Sequence, residues 1–455
     1  MTTDLQDLAM RMGVKSGAPA GHFSGFSWDS RDVRRGSVFL AIKGSRVDGH
    51  DHVEEALSGG AVAAVVERPM AGPCLVVDNL VEALARFALS VREQFSGPVV
   101  GVTGSNGKTT TKELVAAALG SLGPVLKSPG NHNTEYTAPL VWASLDCHRA
   151  CVAEMAMRGF GQIAHLATFT EPTIGIVTMI GTAHIEMVGS RAGIVKAKSE
   201  LLAALPSGGT GIVWREDEYF EDLARASVAP VRSFGFSQEA ECRITGYRPE
   251  GMTGGTARIE LGGAKVDVSL PAPGRHMALN AAAALLAADS AGVDLHEASE
   301  GIARAELPPM RMQKVALPLG TALLDTYNAS PDSTVAAIKT FDELPLGGRR
   351  LAVLGEMLEL GEFSESGHRM VGRALAESRI DRALLVGEPM THALDEARRA
   401  GFPDDRIDHV YVIDLNQIKS FVASMQDGDT VLIKGSRALG LERALEGLTS
   451  PTATS

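Results

Sequence analysis

Short apolar runs alternate with amphipathic stretches along almost the whole chain. Over residues 1–96 the runs SVFLAIKG and AVAAVVE read as buried strands. GHDHVEEALSGG and NLVEALARFALSVREQF carry apolar residues at helical spacing. Together they predict a small α/β unit. Over residues 97–313 the strands are PVVGVTG, RACVAEM and TIGIVTMIG. ARIELGGAKVDVSL predicts a hairpin turning at Gly262 and Gly263, and ALNAAAALLAAD a helix. Over residues 314–455 the runs ALLDTY, RLAVLG, RALLVG, HVYVI and DTVLIKG alternate with helical segments such as HRMVGRALAES, and the tail GLTSPTATS reads as frayed. Regular strand–helix alternation predicts mostly parallel, doubly wound sheets. The chain has 455 residues. At about 100–200 residues per domain it accommodates these three α/β blocks.

Charge and cysteine usage narrow the function. A net charge of −12 speaks against a nucleic-acid partner, which demands a basic face. Cys74, Cys147, Cys151 and Cys242 form no disulfide framework. Cys147, His148 and Cys151 could be half a metal site, but Cys151 opens an apolar strand and reads as a buried core residue. No apolar run is long enough to span a bilayer, and MTTDLQDLAMRMG lacks the apolar core of a secretory signal. The expectation is a cytoplasmic enzyme with no membrane insertion, acting as a monomer.

The chemistry gathers at GVTGSNGKTT, between a predicted strand and a predicted helix. That context suits a phosphate loop, where backbone N–H groups of a turn and a helix N-terminus face an anion. The candidate nucleotide contacts are Gly104, Ser105, Asn106, Gly107, Lys108, Thr109 and Thr110. Gly104 and Gly107 allow close approach, Lys108 reaches the β- and γ-phosphates, and the Thr109 hydroxyl can ligate Mg²⁺. The strict motif wants glycine where Val102 stands, and the glycine is Gly101, so the loop is a variant.

Ligands of doubly wound sheets bind beyond the carboxyl ends of the strands. Glu154 and His184 end the next two predicted strands, and a carboxylate and an imidazole beside a triphosphate can ligate Mg²⁺. SRAGIVKAKSELLAAL reads as a helix capped by Ser190. Ile194, Val195, Leu201, Leu202 and Leu205 make its apolar face, with Lys198 near the centre. Lys196 lies opposite and can pair with Glu200. Lys198 either snorkels to solvent or has chemistry to do.

TGSNGKTTTKE, GTAHIEMVGS, AKSELL, GRHMALNAAAA, LDTYNASPDS, LGEMLELGE and KGSR together resemble the Mur ligases of peptidoglycan synthesis. The resemblance runs from about Ser27 to Arg437, and its N-terminal part is similar to a uridine-nucleotide domain. LGEMLELGE and KGSR favour the branch that adds D-alanyl-D-alanine, and the DNPR string of the tripeptide-forming branch is absent. The resemblance implies a uridine-nucleotide domain, a central ATPase domain and a C-terminal Rossmann-like domain. It implies an ATP-dependent amide ligase that joins D-alanyl-D-alanine to UDP-N-acetylmuramoyl-tripeptide (UDP-MurNAc-tripeptide) through an acyl phosphate. By the same resemblance, Ser30, Arg31, Gly44, Asp48 and His50 would meet the uridine diphosphate end. Lys108 would hold the transferred phosphate. Thr109 and Glu154 would bind one Mg²⁺, and Glu154, His184 and Lys198 would frame a second, with Lys198 carbamylated. Asn280 would meet the adenine, and Arg311, Asp325 and Asn328 would close on the nucleotide. The chain departs from the family at Thr134, Thr137, Ala156 and Gln162, and at Met310, where glycine is common. Another Mur ligase, a folylpolyglutamate-synthase-like ligase and an ATP-binding regulatory module stay open as alternatives.

Overall fold

The computed structural model describes residues 4–14, 17–44, 47–183 and 185–448. Three sheets follow one another along the chain. In the first, Phe26–Ser27, Val38–Leu40, Ala63–Val66 and Cys74–Val76 pair in that order, all parallel. The helix Leu80–Arg92 covers it, with the Asn79 side chain accepting from the Glu82 N–H at its start. The helix Leu5–Met12, capped by Asp4, packs beside it. Its eight residues had too short a period to stand out in the sequence.

The central sheet has nine strands. Val99–Thr103 lies between Ala150–Glu154 and Ile174–Val177, all parallel, so the carboxyl ends of the three emerge on one edge. Cys151 is buried in this sheet, and burial pushes its thiol up to about 12. At the far side Gly255–Leu261 and Ala264–Leu270 form the predicted hairpin. Its two turn residues, Gly262 and Gly263, both have positive φ (59° and 85°), as the tight turn requires. The third sheet orders its strands as Gln313–Leu317, Gly320–Asp325, Asp429–Lys434, Arg350–Gly355, Arg382–Val386 and Ile407–Val410. Only Gln313–Leu317 is antiparallel to its neighbour.

The predicted strand HVYVI is displaced. The strand is Ile407–Val410, and Tyr411 and Val412 are 60% and 78% exposed. Its partner strand ends at Val386, opposite Val410, so the ladder has nothing further to bond.

The cores do not stop at domain boundaries. One runs from Leu5 and Phe87 into Val99, Trp142 and Leu201, and a second joins Val100 and Ala281 to Leu323 and Phe341. Arg92 fastens the first unit to the second by donating to the carbonyls of Thr170 and Glu171. Among the described residues no helix is long and apolar enough to cross a membrane.

Candidate active site

The strand Val99–Thr103 delivers the chain to a turn, and the helix Lys108–Ala118 leaves it. Gly107 caps that helix at φ 82° with no side-chain hydrogen bond, so its first N–H groups stay available to an anion. A Cβ on Gly104 would lie 1.8 Å from Thr178 Oγ1, and one on Gly107 would lie 2.9 Å from Asn280 Oδ1. Both positions therefore demand glycine. Gly101 has a different reason: a Cβ there would meet Leu201 Cδ1 at 2.8 Å, so it admits a packing helix and has no phosphate to face. Gly104→Ala should collapse the turn and lower ATP affinity at least about tenfold, read by calorimetry, since Thr178 is fixed by donating to the Asn106 carbonyl at 2.6 Å.

Lys108 Nζ donates to the Gly104 carbonyl at 2.9 Å and lies 3.4 Å from that of Ser105. Burial lowers its pKa, Glu154 opposes that shift, and Arg311 adds to it. Thr109 and Thr110 are buried beneath it. Glu154 ends its strand and is 3% exposed. Its Oε1 accepts from Asn133 Nδ2 at 2.9 Å, and its backbone N–H donates to Ser128 Oγ. Its Oε2 is buried without a hydrogen-bond partner, and the nearest cation, Lys112 Nζ, stands 4.0 Å away. Lys112 is occupied elsewhere, with the Ser128 carbonyl at 2.7 Å and Glu113 at 3.0 Å. A buried carboxylate oxygen left in this state has room to accept a further hydrogen bond or a cation.

Lys198 lies on the helix Arg191–Ala203, which Ser190 caps as the sequence predicts. It is 1% exposed, so it does not snorkel. Burial pushes its pKa well down, and Lys108 pushes the same way. No hydrogen bond or ion pair joins its ammonium to another described residue. Lys196 does not pair with Glu200: it lies over the Phe160 ring, and Glu200 accepts from the N–H groups of Gly161 and Ala164. Two free N–H groups at a helix start outbid one exposed lysine. His184 lies outside the described residues.

A cavity of ≈ 330 Å³ opens between the central and third sheets. Asn106, Gly107, Thr110 and Asn280 line one side, and Arg311, Asp325 and Asn328 the other. His276, Trp214, Tyr327 and Lys434 are also among its lining residues. Sequence reasoning assigned no role to these four, although His276 and Lys434 stand in the strings GRHMALN and KGSR. Lys434 is 2% exposed, pairs with Asp325 at 2.7 Å and donates to the Asn328 carbonyl at 3.0 Å. The Arg311 guanidinium stacks on Tyr327 at 4.2 Å. Arg311 is presented by a turn in which Met310 and Met312 have φ of 62° and 50°. Left-handed backbone is costly for a side-chained residue, which explains why glycine is common at the first position. Met310→Gly should raise unfolding stability by about 1 kcal/mol in urea titrations, once the added chain entropy of glycine is subtracted.

A larger cleft of ≈ 820 Å³ separates the first and central units. Phe26, Trp28, Asp29, Asp32 and Arg34 face Lys127, Pro129, His132 and Leu140 across it. Trp28 and His132 meet edge to face at 5.3 Å. The predicted uridine contacts Ser30, Arg31, Gly44, Asp48 and His50 do not line this cleft. Arg31 pairs with Asp29 at 2.6 Å, which holds that carboxyl at about 2. His50 is buried with both ring nitrogens engaged, Nδ1 with Asp48 at 2.7 Å and Nε2 accepting the Glu67 N–H. Gly44 donates its N–H to Val47. Gly44, Asp48 and His50 pin one turn and Arg31 another, and residue spacing does not reveal which side of either faces the cleft. Among the departures, Gln162 Oε1 accepts from the N–H groups of Arg158 and Gly159, and the Thr134 and Thr137 hydroxyls meet at 3.1 Å.

Known proteins share this order of domains and this fold. Profiles described as Mur ligase family, catalytic domain; Mur ligase middle domain; and Mur ligase, glutamate ligase domain match residues 22–92, 102–288 and 310–437. A Synechocystis protein named UDP-N-acetylmuramoyl-tripeptide--D-alanyl-D-alanine ligase is 36% identical over 440 residues, covering 94% of this chain and 92% of its own. The crystal structure of MurF from Acinetobacter baumannii is similar with a TM-score of 0.89 at 28% identity, over 98% of this chain and 99% of the other. MurF from Thermotoga maritima, solved in complex with ADP, gives a TM-score of 0.80 at 30% identity, over 93% and 96%. Three profiles of one family in sequence order, and relatives alike across nearly the full length, lead to one assignment: the chain belongs to the Mur ligase family.

Proposed function

We propose that this chain is an ATP-dependent ligase that joins D-alanyl-D-alanine to UDP-N-acetylmuramoyl-tripeptide and yields the UDP-MurNAc-pentapeptide. The observation that carries the reading is the nucleotide cavity, closed on one side by a phosphate loop and on the other by the third domain, beside a lone lysine and a buried carboxylate. The names of its relatives supply the substrates.

A carboxylate does not condense with an amine in water, because it is ionised and hydroxide leaves poorly. Its oxygen attacks the γ-phosphorus of ATP, ADP leaves, and an acyl phosphate forms. The D-alanyl-D-alanine amine then attacks the acyl carbon, and phosphate departs with the C–O bond. Lys108 holds the transferred phosphoryl oxygens and offsets their growing charge. Gly104, Ser105, Asn106, Gly107, Thr109 and Thr110 cradle the phosphates, Asn280 meets the adenine, and Arg311, Asp325 and Asn328 enclose the nucleotide from the third domain. Closure keeps water from the acyl phosphate.

The donor set fits magnesium. The unpartnered Glu154 Oε2 and the Thr109 hydroxyl would hold one ion, and Glu154, His184 and a carbamate on Lys198 a second. Magnesium would polarise the phosphoryl oxygens and balance their charge. The wide cleft between the first and central units takes the UDP-sugar end, with Trp28 and His132 offering an aromatic wall. Both walls of each cavity come from one chain, so a monomer suffices.

Phosphate release tests the reading. It should require ATP, UDP-MurNAc-tripeptide and D-alanyl-D-alanine together, and stoichiometric release with a folate and glutamate instead would overturn it. Asn328→Ala should raise the KM for ATP more than that for D-alanyl-D-alanine, by about tenfold for a lost polar contact in a closed pocket. Equal changes in both would place Asn328 elsewhere.

A further inference from the structure

One side chain of the third domain is committed to the central domain. Asp332 sits in the first turn of the helix Pro331–Glu343, which Ser330 caps. An acid there ordinarily faces its own helix end. Asp332 instead turns its Oδ2 outward and accepts from both the backbone N–H and the hydroxyl of Thr182, each at 3.0 Å. A Cβ on Gly181 would lie 2.5 Å from that same oxygen, so the approach needs glycine at 181. Close by, Ser330 Oγ donates to Asn106 Oδ1 at 3.1 Å.

The docking segment is itself tied to the phosphate loop. Ser105 N–H donates to the Met179 carbonyl, and Gly181 N–H donates to Ser105 Oγ, both at 2.9 Å. Asp217 holds the Ile180 N–H between them at 2.7 Å. Two hydrogen bonds joined by the Gly181–Thr182 peptide link thus connect Ser105 to Asp332. Asp332, at the end of this path, also lines the nucleotide cavity.

We propose that Asp332 is a positioning residue that fixes the third domain's half of the nucleotide cavity against the phosphate loop. A carboxylate accepting two hydrogen bonds is strong for its size, and it acts on domain placement without touching the reacting atoms. The coupling to nucleotide rests on the function proposed above, whereas the docking itself does not.

The test uses Asp332→Ala, Thr182→Val and their combination in the full chain, with calorimetry of ADP binding and small-angle X-ray scattering. Asp332→Ala should weaken ADP about tenfold or more and enlarge the radius of gyration, with the melting temperature of the central core kept. Thr182→Val removes only the hydroxyl and should cost less. The double variant should be no weaker than Asp332→Ala alone, because both changes act on one contact. Asp332→Asn, which keeps one acceptor oxygen, should recover part of the affinity. The KM for ATP should rise more than the KM for D-alanyl-D-alanine. Unchanged ADP affinity in Asp332→Ala, or losses that simply add in the double variant, would overturn the proposal. If the unsubstituted chain binds no ADP, the function fails, and scattering alone judges the docking: an unaltered profile for Asp332→Ala rejects it.

Discussion

Replacing Lys108 with alanine is expected to slow turnover about a thousandfold or more while the fold survives. Its ammonium sits in the phosphate loop and, among the described residues, bonds only to the loop carbonyls of Gly104 and Ser105. Those carbonyls can return to solvent, so the stability cost is small. The charge that the transferred phosphoryl group develops has no comparable partner in the loop, since Arg311 reaches the cavity from the third domain. Steady-state kinetics with a matched thermal melt separates the two effects. Near-normal kcat would show that the loop lysine does not hold the transferred phosphate.

Replacing Lys198 should separate stability from activity in the opposite sense. The side chain is buried among Ile194, Leu201 and Leu202 and pairs with no described residue. Its lowered pKa means that the proton is bound more weakly in the folded chain, so the neutral amine is present well below the usual lysine range. That amine can add to carbon dioxide, forming an N–C bond and releasing one proton. Acidification reverses this by reprotonating the amine. The resulting anion suits the cation that Glu154 also calls for. Lys198→Met removes a buried polar group that pairs with no described residue, and should stabilise the unliganded chain by about 1–3 kcal/mol. Activity should fall at least about a hundredfold. Acetate should restore part of the activity of Lys198→Ala by occupying the vacated space. Full activity in either variant would reject a carbamate at this position.

The pattern of apolar runs carried the architecture, because strand and helix periods are local. The hairpin at Gly262–Gly263, the cap at Ser190 and the phosphate loop were all legible, since turn, cap and anion cradle each depend on a few adjacent residues. The candidate nucleotide contacts stood in motif strings, although the meeting of Asn106, Asn280, Arg311 and Asp325 in one cavity was not legible there. His276, Trp214, Tyr327 and Lys434 were overlooked because each faces the cavity only once two domains are docked.

The wide cleft shows the limit most clearly. Ser30, Arg31, Gly44, Asp48 and His50 lie in the expected region of the chain, yet the wide cleft is lined by Trp28, Asp29, Asp32 and Arg34 from one side and by Lys127 and His132 from the other. A neighbouring residue in a turn can point the opposite way, and sequence spacing does not fix that direction. By itself the sequence determined three α/β units, a phosphate loop and a lysine set into an apolar helix face. Only the tertiary structure decided that this lysine is sealed from water, that Glu154 keeps an unpartnered oxygen, and that Asp332 reaches Thr182 across 150 residues. The first set follows from local periodicity and backbone preference. The second depends on what the packed domains leave each polar group to bond with.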